Sequence, residues 1–299
     1  MKTMSGSRVL KPIMLALAGM FAASAYAGTV AASAPAALVF APLVPGSVAT
    51  ASGANAEFHR IDSAWQGSSV LWDEQNKTFG SGEQIGTFGW GTGLWGLADW
   101  RTTMAVAGGS TVSGAPTIVE SWTGLVGDIN YGNALYNAHY ETQWGAASLA
   151  PIFGANDTPA EQENWVARFT GFIRIVDAGV YNFSVLNDDG FFLHLIGGNG
   201  QEVDSGRDYL NARERNGLLE PLEMSAGLYA FELGAWTRLE AGVVDLRWSR
   251  DAGESWQLVP TEHLVPEPPA AALVLLGLGL ALAGRRAGSR RGVGHAIKR

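Results

Sequence analysis

The chain has no cysteine in its 299 residues, which excludes disulfide cross-links, thiolate nucleophiles and cysteine-ligated metal centres. Long apolar runs are also missing. The clearest are Pro12–Ala23 and the 15 residues from Ala270 to Gly284, whereas a bilayer-spanning helix takes about 20. Positive charge is scarce in the middle of the chain. Residues 1–27 hold three bases and no acid, and residues 266–299 hold six bases and one acid. The intervening 238 residues therefore carry 11 bases against 27 acids, a net charge of −16. Such a surface repels phosphate backbones and anionic lipid, excludes nucleic acid as a partner, and favours divalent cations. Neither a G-x-S-x-G elbow nor an H-E-x-x-H helix occurs. The five histidines lack metal-ligand spacing; His194 reads as packing or surface. No period of 20–50 residues repeats, so a solenoid or propeller is not expected.

What is present begins at the two ends. Lys2, Arg8 and Lys11 precede an apolar stretch, and Ala25-Tyr26-Ala27 is a small-x-small site. This pattern predicts a signal peptide over 1–27, cut by signal peptidase between Ala27 and Gly28. At the other end, Pro266-Glu267-Pro268 is followed by the short apolar run, by Arg285-Arg286, and by further bases to Arg299. Gly277 and Gly279 weaken that run as a helix. This three-part order over 266–299 resembles the PEP-CTERM sorting signal of Gram-negative bacteria. The resemblance implies recognition and removal by an exosortase, transient membrane contact, and a cell-surface or extracellular-matrix destination. An ordinary short C-terminal anchor is the alternative.

Between the signals, residues 28–54 carry no charge until Ala54 and read as a flexible leader. Residues 55–118 are rich in tryptophan and glycine, as in Gly89-Trp90-Gly91-Thr92-Gly93-Leu94-Trp95-Gly96, and read as a β extension of short strands and turns. Residues 119–265 show clearer alternation. Trp165, Ala167, Phe169, Gly171, Ile173 and Ile175 share one face, opposite Arg168, Thr170 and Arg174. Tyr181, Phe183 and Val185 alternate with polar residues, as do Phe191, Leu193 and Leu195. Leu228–Trp236 and Gly242–Trp248 continue the pattern, with Asp177-Ala178-Gly179, Asp188-Asp189-Gly190 and Ser225-Ala226-Gly227 as turns. The prediction is an all-β, antiparallel β-sandwich with Phe169, Ile173, Phe183, Val185, Leu193, Phe231 and Leu246 inside.

Phe169-Thr170-Gly171-Phe172, Asp177–Phe183, Asp188-Asp189-Gly190, Ser225–Tyr229 and Leu246–Pro260 together resemble the protective-antigen-type (PA-fourteen) domain, a lectin-like β-sandwich. The resemblance covers about residues 119–265. It implies carbohydrate binding, although some members bind protein or no known ligand. In the lectin members the two adjacent aspartates are joined by a cis peptide and chelate calcium, which binds sugar hydroxyls. Carried onto this chain, Asp188 and Asp189 are the metal and sugar ligands. Thr237 stands where those members have an asparagine, and Leu239 and Ala241 supply carbonyls. Calcium takes 6–8 oxygens, so sugar hydroxyls can complete its shell. A plain Asp-Gly hairpin turn is the alternative reading of the same residues.

Of the 11 tryptophans, Trp236 beside Thr237 is the candidate to stack on a sugar. The acid pairs Glu161/Glu163 and Glu202/Asp204 are the residues a glycoside hydrolase would need. The expectation is a binding protein, not an enzyme: an exported partner of extracellular polysaccharide, with a matrix or adhesion protein lacking a sugar site as alternative and a hydrolase as a remote one.

Overall fold

Alternation of apolar and polar residues sets the architecture. The computed structural model describes residues 37–46, 51–67, 72–73, 78–79, 92–208 and 213–267. Ala27, Gly28, Pro268 and most of 68–91 lie outside the described residues. In chain order the first strands are β1 (Leu38–Phe40), β2 (Val44–Pro45), β3 (Ala54–Ile61), β4 (Trp72–Asp73), β5 (Thr78–Phe79), β6 (Ile118–Val126), β7 (Asn130–Gly132) and β8 (Ser148–Leu149). Next come β9 (Trp165–Ile175), β10 (Gly179–Asp188), β11 (Gly190–Ile196), β12 (Glu202–Arg207) and β13 (Glu214–Gly217). The last are β14 (Leu222–Met224), β15 (Gly227–Thr237), β16 (Val243–Ser249), β17 (Gln257–Leu258) and β18 (Leu264–Val265). Among the described residues two α-helices, α1 (Leu97–Ala107) and α2 (Ala134–Trp144), stand between them.

One sheet runs β1-β14-β10-β16-β7-β8, with β13 also on β10 and β17 also on β16. The other runs β12-β11-β15-β9-β3-β6, with β18 on β9 and β2 on β15. Within the two sheets the pairings are antiparallel except β1 with β14 and β7 with β8. The expected antiparallel β-sandwich is the fold observed. Between the sheets lies one core, and the seven residues predicted inside are all at most 2% exposed. Each such side chain contributes about 1.5–3 kcal/mol by leaving water. A one-residue slip of any strand would turn its set outward, which is why the alternation fixes the register.

The outer faces are covered too, and here the structure departs from the sequence reading. Residues 97–107 form a helix, not strands. Leu97, Trp100 and Met104 recur at spacings of three and four and pack with Ile61, Leu94, Val166 and Trp236 on the outer face of the second sheet. Asp99 in the first turn accepts a hydrogen bond from the Trp95 N–H at 2.7 Å, which helps start the helix. On the outer face of the other sheet, α2 packs Tyr136, Leu135, Tyr140 and Trp144 near Leu186, Ala241 and Val243.

Two boundaries also move. The segment read as a flexible leader contains β1 and β2, and Phe40 within it is fully buried against Tyr229, ring centres 5.5 Å apart. The 55–118 extension is not separate, because β3 lies between β9 and β6 in the second sheet. Backbone donors and acceptors of β9 need a partner on that side, and residues 55–60 supply it.

Candidate functional site

The candidate metal and sugar ligands come from two neighbouring strand ends. Asp188 closes β10, where it pairs with Val243, and Thr237 closes β15, opposite Trp165. The Asp188–Asp189 peptide is cis, as the family resemblance leads one to expect. The Asp189 N–H donates to the Trp236 carbonyl at 2.9 Å, and the Asp189 carbonyl accepts from Asn187 Nδ2 at 2.7 Å. The glycine that follows is set by packing. A Cβ on Gly190 would lie 2.1 Å from the Trp236 indole, so the residue after the acid pair has no room for a side chain. This explains the glycine without a hairpin turn.

Trp236 itself is corrected. It is buried beneath α1 among Ile61, Leu94, Trp100 and Val166, so its ring is not presented to a ligand. Thr237 is buried as well, and its hydroxyl donates to the Asp188 carbonyl. Leu239 is at the surface, and Ala241 is buried, its carbonyl 3.3 Å from Arg213 Nη1. Glu163 accepts from the Glu240 N–H at 3.0 Å at the edge of this loop. Glu161 instead caps the turn at Thr158, and Asp204 pairs with His194 across β12 and β11.

The carboxylates are not alone. Asp189 Oδ2 accepts from the Arg238 N–H at 2.6 Å. Asp188 Oδ2 accepts from Arg213 Nη1, and the same nitrogen lies 3.3 Å from the Ala241 carbonyl. Burial pushes both carboxyls well above the ordinary carboxylate range, because the charged form loses its water. For Asp188 the neighbouring Asp189 charge adds to the rise, and Arg213 opposes it. For Asp189 the Arg238 N–H and the two guanidinium charges oppose it.

Sequence reasoning missed the residues that hold the loop in place. Asn133 is fully buried. Its Oδ1 caps α2 by accepting from the Tyr136 N–H at 3.0 Å and also accepts from the Gly242 N–H at 3.1 Å. Its Nδ2 donates to the Gln162 and Glu240 carbonyls. An asparagine just before a helical run is a readable cap signal, but its hold on a loop over 100 residues away is not. Arg213 gave no signal at all within its polar stretch. Beside the loop, Leu135, His139, Tyr140, Glu240 and Ala241 line a cavity of about 350 Å³.

The donor set fits a hard cation. A single positively charged nitrogen reaches both a carboxylate and a carbonyl, so these oxygens converge on one point. Among the described residues no group of three or more acidic or histidine side chains assembles. An ion here would depend on the two aspartates, backbone carbonyls and oxygens from solvent or ligand.

No family model matches the chain, and no curated protein does. Several solved structures are similar in fold. One is an anti-sigma factor domain-containing protein, 17% identical over 49% of this chain and 42% of that one, with a TM-score of 0.36. Another is the PA14 sugar-binding domain of an RTX adhesin, 14% identical over 73% of this chain and 100% of that domain, TM-score 0.41. A third is the Epithelial Adhesin 6 A domain of Candida glabrata in complex with Galβ1-3GlcNAc, 13% identical over 78% and 94%, TM-score 0.45. The chain spans less than half the length of the first of these. Similarity at this level carries no functional argument.

Proposed function

We propose that this chain is an exported, surface-sorted carbohydrate-binding protein whose sugar site is built on calcium. Asp188 and Asp189 would hold the ion with the Ala241 and Leu239 carbonyls, and sugar hydroxyls would complete its shell. One observation carries the reading: the buried Asp188 carboxylate and the Ala241 carbonyl meet at one positively charged nitrogen, with the buried Asp189 carboxylate next in the chain and a cavity of about 350 Å³ beside them. Extracellular polysaccharide is the partner class, and the sorting signal at 266–299 supplies the route to the surface. Within that signal, Pro266 is half-buried and Glu267 exposed, directly after β18. The role is binding, not catalysis.

A glycan array run with calcium and with chelator tests this. Calcium-dependent capture of one glycan class is expected, and capture indifferent to chelator would remove the metal from the reading. A second reading, a matrix or adhesion scaffold with no sugar site, is favoured by one feature. Arg213 already pairs with Asp188 where the ion would sit. A blank array in both conditions would move that reading ahead.

A further inference from the structure

Arg213 reaches three partners of the site at once. Its Nη1 bonds Asp188 Oδ2 and lies 3.3 Å from the Ala241 carbonyl, so it stands where a metal ion would gather the same oxygens. Its guanidinium carbon lies 3.4 Å from the centre of the Tyr140 ring, covering that face. Tyr140 also lines the cavity, on a helix whose start is capped by Asn133. One side chain therefore fills both the cation position and the aromatic surface next to it. Guanidinium suits this double task, since it is planar, permanently charged and only weakly hydrated.

We propose that Arg213 is the resident cation of the site, that calcium and Arg213 hold the same place in turn, and that the departure of Arg213 uncovers Tyr140 as the stacking surface for a sugar ring. The proposal rests on the calcium reading above. Two cations cannot share one buried carboxylate and one carbonyl, because their mutual repulsion grows as the local dielectric falls. Calcium must therefore displace the guanidinium, and each displacement bares an aromatic face beside the bound ion. Metal binding and ligand access become a single event. Tyr140 is then the specificity residue, because its ring selects ligands with an apolar face next to coordinating hydroxyls.

Calorimetric titration of the purified protein with calcium alone tests the first half. Arg213→Met keeps the apolar stem and removes the charge. It should bind calcium at least about tenfold more tightly than the wild type, in line with the coupling of close charge pairs. In chelator the variant should melt below the wild type, and millimolar methylguanidinium should raise its melting temperature but not that of the wild type. Arg213→Lys, which keeps charge without the planar fork, should fall between the two and serves if the methionine variant does not fold. Equal, measurable calcium affinities in wild type and both variants would overturn the proposal while leaving the calcium reading intact. No calcium binding in any of them would overturn both. Tyr140→Leu removes the ring beneath the guanidinium, so it should tighten calcium by less than Arg213→Met does and abolish calcium-dependent capture on the glycan array; retained capture would overturn the role of Tyr140.

Discussion

Asn133→Ala removes a buried side chain that uses both its acceptor and its donor groups. Four backbone groups lose their partner: the Tyr136 and Gly242 N–H groups and the Gln162 and Glu240 carbonyls. Leaving a buried polar group unpaired costs about 1–3 kcal/mol, and water entering the space left by the amide favours the low end. At about 1 kcal/mol each the loss is about 4 kcal/mol, of which the helix cap alone accounts for about 1 kcal/mol. With a urea dependence of about 2–3 kcal/mol per molar, the unfolding midpoint should fall by about 1.5 M. Urea titration followed by tryptophan emission measures it, since Trp144 and Trp165 lie near the affected segment. The backbone bond from the Asn133 N–H to the Gly242 carbonyl, 3.1 Å, remains, so the fold should survive while the Glu240–Gly242 segment loosens. Calcium affinity should weaken with it. Asn133→Asp keeps the acceptor bonds but turns a carboxylate toward two carbonyls, and should do no better than alanine. A midpoint shift below about 0.4 M in the alanine variant would refute the claim that this side chain staples the loop.

Asp188→Ala and Asp189→Ala should each abolish stabilisation by calcium, which at about 100 times Kd adds about 2.7 kcal/mol to the wild type; a wild-type melting temperature indifferent to millimolar calcium would leave the pair without a metal. Burial raises both carboxyls, so in chelator their contribution to stability is present in acid and lost as pH rises through the raised values. Calcium must displace those protons, so its affinity should rise over the same range, and melting scans against pH with and without calcium should diverge as pH increases. Gly190→Ala forces a methyl against the Trp236 indole and should cost about 1–3 kcal/mol, read from thermal melting; a neutral outcome would mean the indole yields freely. Intact-mass analysis of surface material should show a start at Gly28 and no residues beyond the Pro266-Glu267-Pro268 motif, and recovery of a chain ending at Arg299 would count against sorting.

Strand interiors were legible because their signal is local. Phe169 and Ile173 lie on the same face of one strand whatever happens elsewhere, and both are fully buried. The outer layer was not legible in the same way. In α1, Leu97, Trp100 and Met104 occur in a short helix directly after a glycine-rich stretch, and the glycines dominate that region's composition. That helix is what covers Trp236. Its position on β15 is opposite to that of Phe231 and Leu233, which reads as outward, and outward means solvent only if nothing covers the sheet. Residues 38–45 lack charge and pattern, yet their pairing depends on partners near residues 222 and 228, which no local window contains. The acid pair was found because adjacent aspartates before glycine are conspicuous. Asn133, Tyr140 and Arg213 reach it only through the tertiary fold.

The two short N-terminal strands also govern timing. Leu38 takes its partner at Leu222, Val44 at Leu228, and the neighbouring β3 lies against β9. A chain made from its N-terminus has none of the first two partners until most of the sandwich has been synthesised. Contacts closed over such distances form slowly. Those two strands therefore stay unpaired until residues 222–228 have been made. Until β14 and β15 arrive, Phe40 and the exposed Leu38, Val39, Leu43 and Val44 remain available to chaperones.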